Sequence, residues 1–294
     1  MRHQKKPILL GNVSFPIANK RIQRAMAGLL NALNNDAVGT ISELSRGLTS
    51  VSFSSSWSDT PACSCFVTLM YECPIDQPSW RKIAIQVCGS LDLTRIIGRS
   101  KGSMVIATSR DDRDFLYDCL YLYKSENSLF SVTLSPTDVI GSNLCIPIMY
   151  HKPVNAFFHP NPKAMSNALE WILSRLQGIG KDLTMLEMYG GCGAHTIALS
   201  KSGLVKRITL VELDSRLVQA CIHNCKLNGC LDGDLNDAQD GSAPVCVLEG
   251  DASKWAQKFR HRTDGDRVLK FDILLVDPPR MGLSKDVCQM ANEG

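Results

Sequence analysis

Four carboxylates in the second half of the chain occupy equivalent places. Glu187, Glu212, Asp251 and Asp277 each stand at or just beyond the end of a short apolar run. Ahead of the second of them lies Tyr189-Gly190-Gly191-Cys192-Gly193-Ala194, a turn with three glycines in which the backbone can come close to a ligand and adopt positive φ. A strand, a glycine turn and a helix in that order bring backbone N–H groups against a nucleotide-like molecule. Glu212 follows the turn by roughly 20 residues, the interval at which dinucleotide-type sites hold ribose hydroxyls on a carboxylate. The chemistry that these residues offer is recognition of a nucleoside-containing cofactor.

Elements must carry these acids to one edge. Apolar runs at Thr184–Met188, Arg207–Leu213, Val245–Leu248 and Phe271–Val276 read as strands. Between them, Thr196–Leu199 and Ser215–Asn228 have helical spacing, the latter with Leu217, Val218, Cys221, Ile222 and Cys225 on one side. Alternating strands and helices predict a parallel α/β sheet of Rossmann-like form, with ligands across the carboxyl ends of its strands. A nicotinamide-dinucleotide enzyme fits less well, because the turn lacks the second half of G-x-G-x-x-G. A helix over Lys163–Leu176, with Met165, Leu169, Ile172 and Leu176 inward, precedes the first strand. It is entered through the rigid segment 154–162 with Pro160 and Pro162. The acidic, turn-rich stretch Leu231–Pro244 reads as a surface insertion.

Residues 1–150 predict a small α+β module. It has an amphipathic helix over Ile17–Leu33, a serine-rich loop over Ser50–Thr60, and β-like segments at Cys65–Cys73, Lys82–Cys88, Ser103–Thr108 and Leu129–Leu134. A helix is expected over Arg113–Tyr123. The parallel α/β sheet then occupies 151–294, giving two domains for 294 residues.

Charge is uneven. Residues 1–110 carry 13 Lys and Arg against 6 Asp and Glu, residues 111–294 carry 19 against 23, and the net is +3. A basic front half suits a polyanionic partner. Twelve cysteines lie mostly inside apolar runs, which fits a reducing compartment rather than a disulfide framework, and their spacing matches no zinc motif, so no metal is expected. The basic start, Met1 to Pro7, is followed by too short an apolar run for a secretion signal, and nothing has the length of a membrane helix. A cytoplasmic or nuclear protein without a membrane partner is expected.

Taken together, Phe157-Phe158-His159-Pro160-Asn161, Asn167-x-Leu169-Glu170-Trp171, Leu186-Glu187-Met188-Tyr189-Gly190-Gly191-x-Gly193, Val211-Glu212 and Val276-Asp277-Pro278-Pro279-Arg280-Met281-Gly282-Leu283 resemble the RNA (uracil-5)-methyltransferase family. The likeness covers about 154–288 and is greatest to the tRNA-modifying branch. It implies S-adenosyl-L-methionine bound by Tyr189 and the turn residues Gly191, Gly193 and Ala194, with Glu212 on the ribose. His159, Asp251 and Asp277 would line the rest of the cofactor site. His159 stands where the family usually has glutamine and Ala194 where it usually has asparagine, which changes the hydrogen bonds on offer.

In that family a cysteine thiolate adds to carbon 6 of uracil, the resulting enolate takes the methyl group at carbon 5, and a carboxylate removes the carbon-5 proton. The base must first leave its stack. The resemblance places both groups after the D-P-P-R string, beyond Gly294, and Cys288 falls on a helix rather than at the nucleophile's place. A C-terminally truncated form is therefore expected, with an open edge at Ile273–Val276. Such a form binds cofactor weakly, does not turn over and is a monomer. Two other readings are an enzyme methylating an exocyclic amino group, against which Arg280 stands after Pro279, and a non-catalytic RNA-binding protein on a methyltransferase scaffold.

Overall fold

The computed structural model describes residues 15–34, 42–57, 64–108, 115–125, 130–136, 144–154, 156–180, 182–231, 244–260 and 270–293. Most of the expected insertion Leu231–Pro244 lies outside them. The chain divides into two compact units, Met1–Leu116 and Tyr117–Gly294.

The first unit runs α1 (Lys20–Asn34), α2 (Ser42–Ser45), β1 (Leu48–Ser55), β2 (Cys65–Tyr71), α3 (Gln77–Ser90), β3 (Arg95–Ser100) and β4 (Ser103–Thr108). Its strands form one sheet in chain order, parallel only where α3 crosses from β2 to β3. Three expectations fail here or at its border. Ser50–Thr60 is not a loop at its start, because Val51 and Phe53 alternate with serines and pair β1 with β2. Lys82–Cys88 is helix, not strand. Asp76-Gln77-Pro78 opens α3, and Trp80, Ile83, Ala84, Val87 and Cys88 form its buried stripe. Arg113–Tyr123 is strand where described, because Leu116, Asp118, Leu120 and Leu122 are buried at every second position. Trp80 Nε1 donates to Tyr71 Oη at 2.8 Å, and that hydroxyl donates to Leu44 O at 2.9 Å, so the polar atoms of these two buried aromatic side chains are paired.

The second unit opens with β5 (Phe115–Lys124, entered at the boundary), β6 (Phe130–Thr133) and β7 (Leu144–Pro153), a three-stranded sheet ordered β6-β5-β7. The remaining elements are α4 (Pro162–Ile179), β8 (Leu183–Met188), α5 (Thr196–Lys201), β9 (Val205–Glu212), α6 (Ser215–Leu227), β10 (Val245–Glu249), α7 (Ala252–Arg260), β11 (Ile273–Val276) and α8 (Lys285–Glu293). Thus β5–β7 lie with the later elements and not, as residues 1–150 implied, with the earlier ones. Two asparagines a helical turn apart hold β7: Asn228 Oδ1 accepts from Met149 N at 3.0 Å, and Asn224 Oδ1 from His151 N at 2.8 Å. Glu170 on α4 accepts from Val132 N on β6 at 2.8 Å. Neither tie has a periodicity that a linear reading detects.

The four strands β10-β9-β8-β11 are all parallel. The order reverses at β8, so the first and last strands of the series lie side by side. That reversal opens a crevice at their carboxyl ends, where α/β folds bind ligands. Leu186, Met188 and Val211 on the sheet meet Ala252 and Ala256 of α7 and Val287 and Met290 of α8. Among the described residues β11 pairs only with β8, and its four apolar residues are half-buried. No described helix is long and apolar enough to cross a membrane.

Candidate functional site

Backbone geometry shapes the turn after β8. Tyr189 takes φ 62°, Gly191 57° and Gly193 84°. Tyr189 N–H donates to Val211 O at 3.0 Å and Gly193 N–H to Gly190 O at 3.0 Å, closing the loop against β9. A left-handed tyrosine is uncommon and persists only where its surroundings impose it. Gly190 has a steric reason to be glycine: a Cβ there would stand 2.4 Å from Leu210 Cδ1 and 2.5 Å from Leu210 Cγ. Gly190→Ala is therefore expected to cost about 1–3 kcal/mol of stability, and Leu210→Ala added to it to recover part of that loss in thermal melts. Equal stability of Gly190→Ala and the parent would contradict the close approach.

Glu212 holds the turn from the neighbouring strand. Its Oε2 accepts from Gly191 N at 3.0 Å, while Oε1 accepts from Leu213 N and Asp214 N at 2.8 Å each. A carboxylate has about four lone-pair sites, so Oε2 retains capacity for a hydroxyl donor. A Cβ at Gly191 would meet nothing within 4 Å, so the surface beside this amide is open to a ligand. Asp251 is used differently: Oδ1 accepts from Lys254 N at 2.9 Å and caps α7. Ala194 is buried and offers only backbone, its carbonyl accepting from Tyr150 Oη at 2.8 Å.

Across the crevice, Asp277 leaves β11 with its N–H on Met188 O at 3.4 Å. His159, from the segment that enters α4, brings Nε2 to 3.4 Å from Asp277 Oδ2. Its ring lies edge-on to His195, centroids 5.2 Å apart. Behind His195 is Glu187, fully buried, with Oε1 3.4 Å from His195 Nδ1 and Oε2 accepting from Thr196 Oγ1. Burial lowers the His159 pKa and the neighbouring His195 adds to this. For His195, burial also lowers the pKa, but Glu187 more than offsets it and the net direction is up. The pKa values of two adjacent imidazoles are thus displaced in opposite directions.

The structure therefore gathers Tyr189, Gly191, Gly193 and Glu212 on one side and His159 with Asp277 on the other, while one oxygen of Asp251 caps α7. His195 was not singled out by residue pattern, and Glu187 stood out only as a strand-end carboxylate, not as a partner of His195. Only the sequence position of each, beside the turn and at a strand end, hinted at them. Cys192 is buried, and burial pushes its thiol up to about 12. Iodoacetamide is expected to modify the exposed Cys145 and Cys288 in the folded protein and to spare Cys192. Peptide mapping that finds Cys192 labelled as fast as Cys288 would contradict this.

The model of the tRNA (uracil-5-)-methyltransferase family matches residues 137–293. The tRNA/tmRNA (uracil-C(5))-methyltransferase of Azotobacter vinelandii is 28% identical over 289 residues, covering 98% of this chain and 66% of its own length. That of Pseudomonas entomophila is 27% identical over 289 residues, covering 97% and 66%. A solved structure, the tRNA (uracil-54, C5)-methyltransferase of Pyrococcus abyssi in complex with S-adenosyl-L-homocysteine, is 16% identical, with coverage of 79% and 44% and a TM-score of 0.44. The chain spans about two thirds (66%) of the length of these curated relatives.

Proposed function

This chain belongs to the tRNA (uracil-5-)-methyltransferase family, and on that premise we propose that the protein transfers a methyl group from S-adenosyl-L-methionine to carbon 5 of a uridine in tRNA. The observation that carries the proposal is the crevice between β8 and β11, with the Glu212-braced glycine turn on one side and Asp277 on the other. The residues present fit the cofactor: Glu212 keeps an acceptor for a ribose hydroxyl, and the face beside Gly191 is open. When bound, the cofactor supplies an electrophilic sulfonium methyl group.

The remaining work falls to the protein. Tyr189 and Gly191 shape the wall for the nucleoside, and Asp277 and His159 line the side toward the reacting base. Glu187 and Thr196 fix His195 beneath them. The nucleophilic thiol and the carbon-5 base are assigned to none of the described residues. The basic first unit is proposed to grip the RNA backbone.

An unmodified tRNA transcript incubated with the intact protein and methyl-deuterated S-adenosyl-L-methionine tests the proposal. Nucleoside mass spectrometry is expected to find deuterated 5-methyluridine. Deuterium in an N-methylated nucleoside would move the reaction to an exocyclic amine. Salt-sensitive RNA binding without any deuterium transfer would leave the scaffold reading in its place.

A further inference from the structure

We propose that His159, His195 and Asp277 form a binding site for one divalent transition-metal ion of the zinc or cobalt type. A ring nitrogen from each histidine and a carboxylate oxygen of Asp277 lie within 4.8 Å of one another. Within the cluster, His159 Nε2 and Asp277 Oδ2 are 3.4 Å apart. Donors bonded at about 2.0–2.1 Å in a tetrahedral site are separated by roughly 3.4 Å, so that pair already has the required spacing. The wider separation closes by rotation of side chains, and the Asp277 carboxylate, 45% exposed, is at liberty to turn.

Further features suit a metal. Two imidazoles and one carboxylate form the donor set that zinc, cobalt and iron(II) prefer, and that magnesium and calcium do not. Behind His195 stands an outer carboxylate: Glu187 Oε1, buried and without a hydrogen bond of good geometry, faces Nδ1 at 3.4 Å. A metal on the opposite ring nitrogen makes the Nδ1–H a stronger donor to that oxygen, the arrangement that orients ligating histidines in metalloproteins. His159 and Asp277 are partly exposed, which leaves an entry path. Three protein ligands leave a further coordination position open. The three residues come from the entry to α4, the turn after β8 and the end of β11, so no sequence spacing announces them.

This inference does not depend on the proposed methylation, and its test reads metal directly. The full chain, freed of metal, is titrated with cobalt(II) and followed by visible absorption. Nitrogen and oxygen ligation gives d–d bands without the intense thiolate charge-transfer band that the cysteines would produce. One equivalent is expected to bind with such bands. The affinity is expected to fall at least tenfold in His159→Ala and in Asp277→Asn, both at partly exposed positions, and to stay unchanged in His223→Ala, an exposed histidine on α6. Thermal melts establish that the variants fold. Absence of the d–d bands, or equal affinity in all four proteins, would overturn the site.

Discussion

Asp118→Ala is expected to lower the unfolding free energy by about 3–5 kcal/mol, the range for removing one partner of a buried ion pair. Asp118 on β5 and Lys152 on β7 face each other as an ion pair, with side chains only 1% and 6% exposed. The ammonium also lies 4.9 Å over the Phe158 ring. Without the acid the buried ammonium loses its ion-pair partner, a loss costlier than the pair's own attraction is favourable. The double variant Asp118→Leu/Lys152→Met is accordingly expected to regain most of the loss. Urea unfolding measures both. A loss below about 1 kcal/mol, the worth of a solvated pair, would show that water reaches the ammonium. The consequence extends to function, because β7 also carries Tyr150, whose hydroxyl fixes the Ala194 carbonyl at the end of the glycine turn.

Glu212→Ala is expected to weaken S-adenosyl-L-methionine binding about 10- to 100-fold, as loss of hydrogen bonds to a charged acceptor is worth roughly 1.5–3 kcal/mol. Two effects combine. The ribose loses its acceptor, and Gly191 N–H loses the partner that holds the turn in place. Glu212→Gln keeps one oxygen acceptor and is expected to fall between the two. Calorimetric titration checks the series, with melting temperatures to separate folding from binding. Unchanged affinity in Glu212→Ala would place the ribose anchor on another residue.

The second half of the chain was the more legible because its signals are redundant. Each parallel strand is a continuous apolar run, each ends beside an acid, and a helical stripe follows, so an error at one element is corrected by the next. In the first half, short windows misled. Lys82–Cys88 contains enough apolar residues for a strand, yet its pattern belongs to the longer stripe that starts at Trp80. In β5 the aromatic residues Tyr117 and Tyr121 conceal a strict two-residue alternation, and one inward position is the charged Asp118. β7 contains Pro147, and its backbone is satisfied partly by Asn224 and Asn228 from a distant helix. The Glu212-braced side of the crevice followed from strand ends. The contact of His159 with Asp277, and of His195 with Glu187, depends on three separate loops converging, which only the folded chain reveals.

The crevice at the carboxyl ends of β8, β9 and β11 is proposed to bind the methyl donor. Hydrogen–deuterium exchange of the intact protein, with and without saturating S-adenosyl-L-homocysteine, tests it most directly. Slowed exchange is expected at 189–193, at 212–214 and around Asp277, with the first unit unaffected. Saturable binding that protects some other segment and leaves those three unchanged would contradict the account.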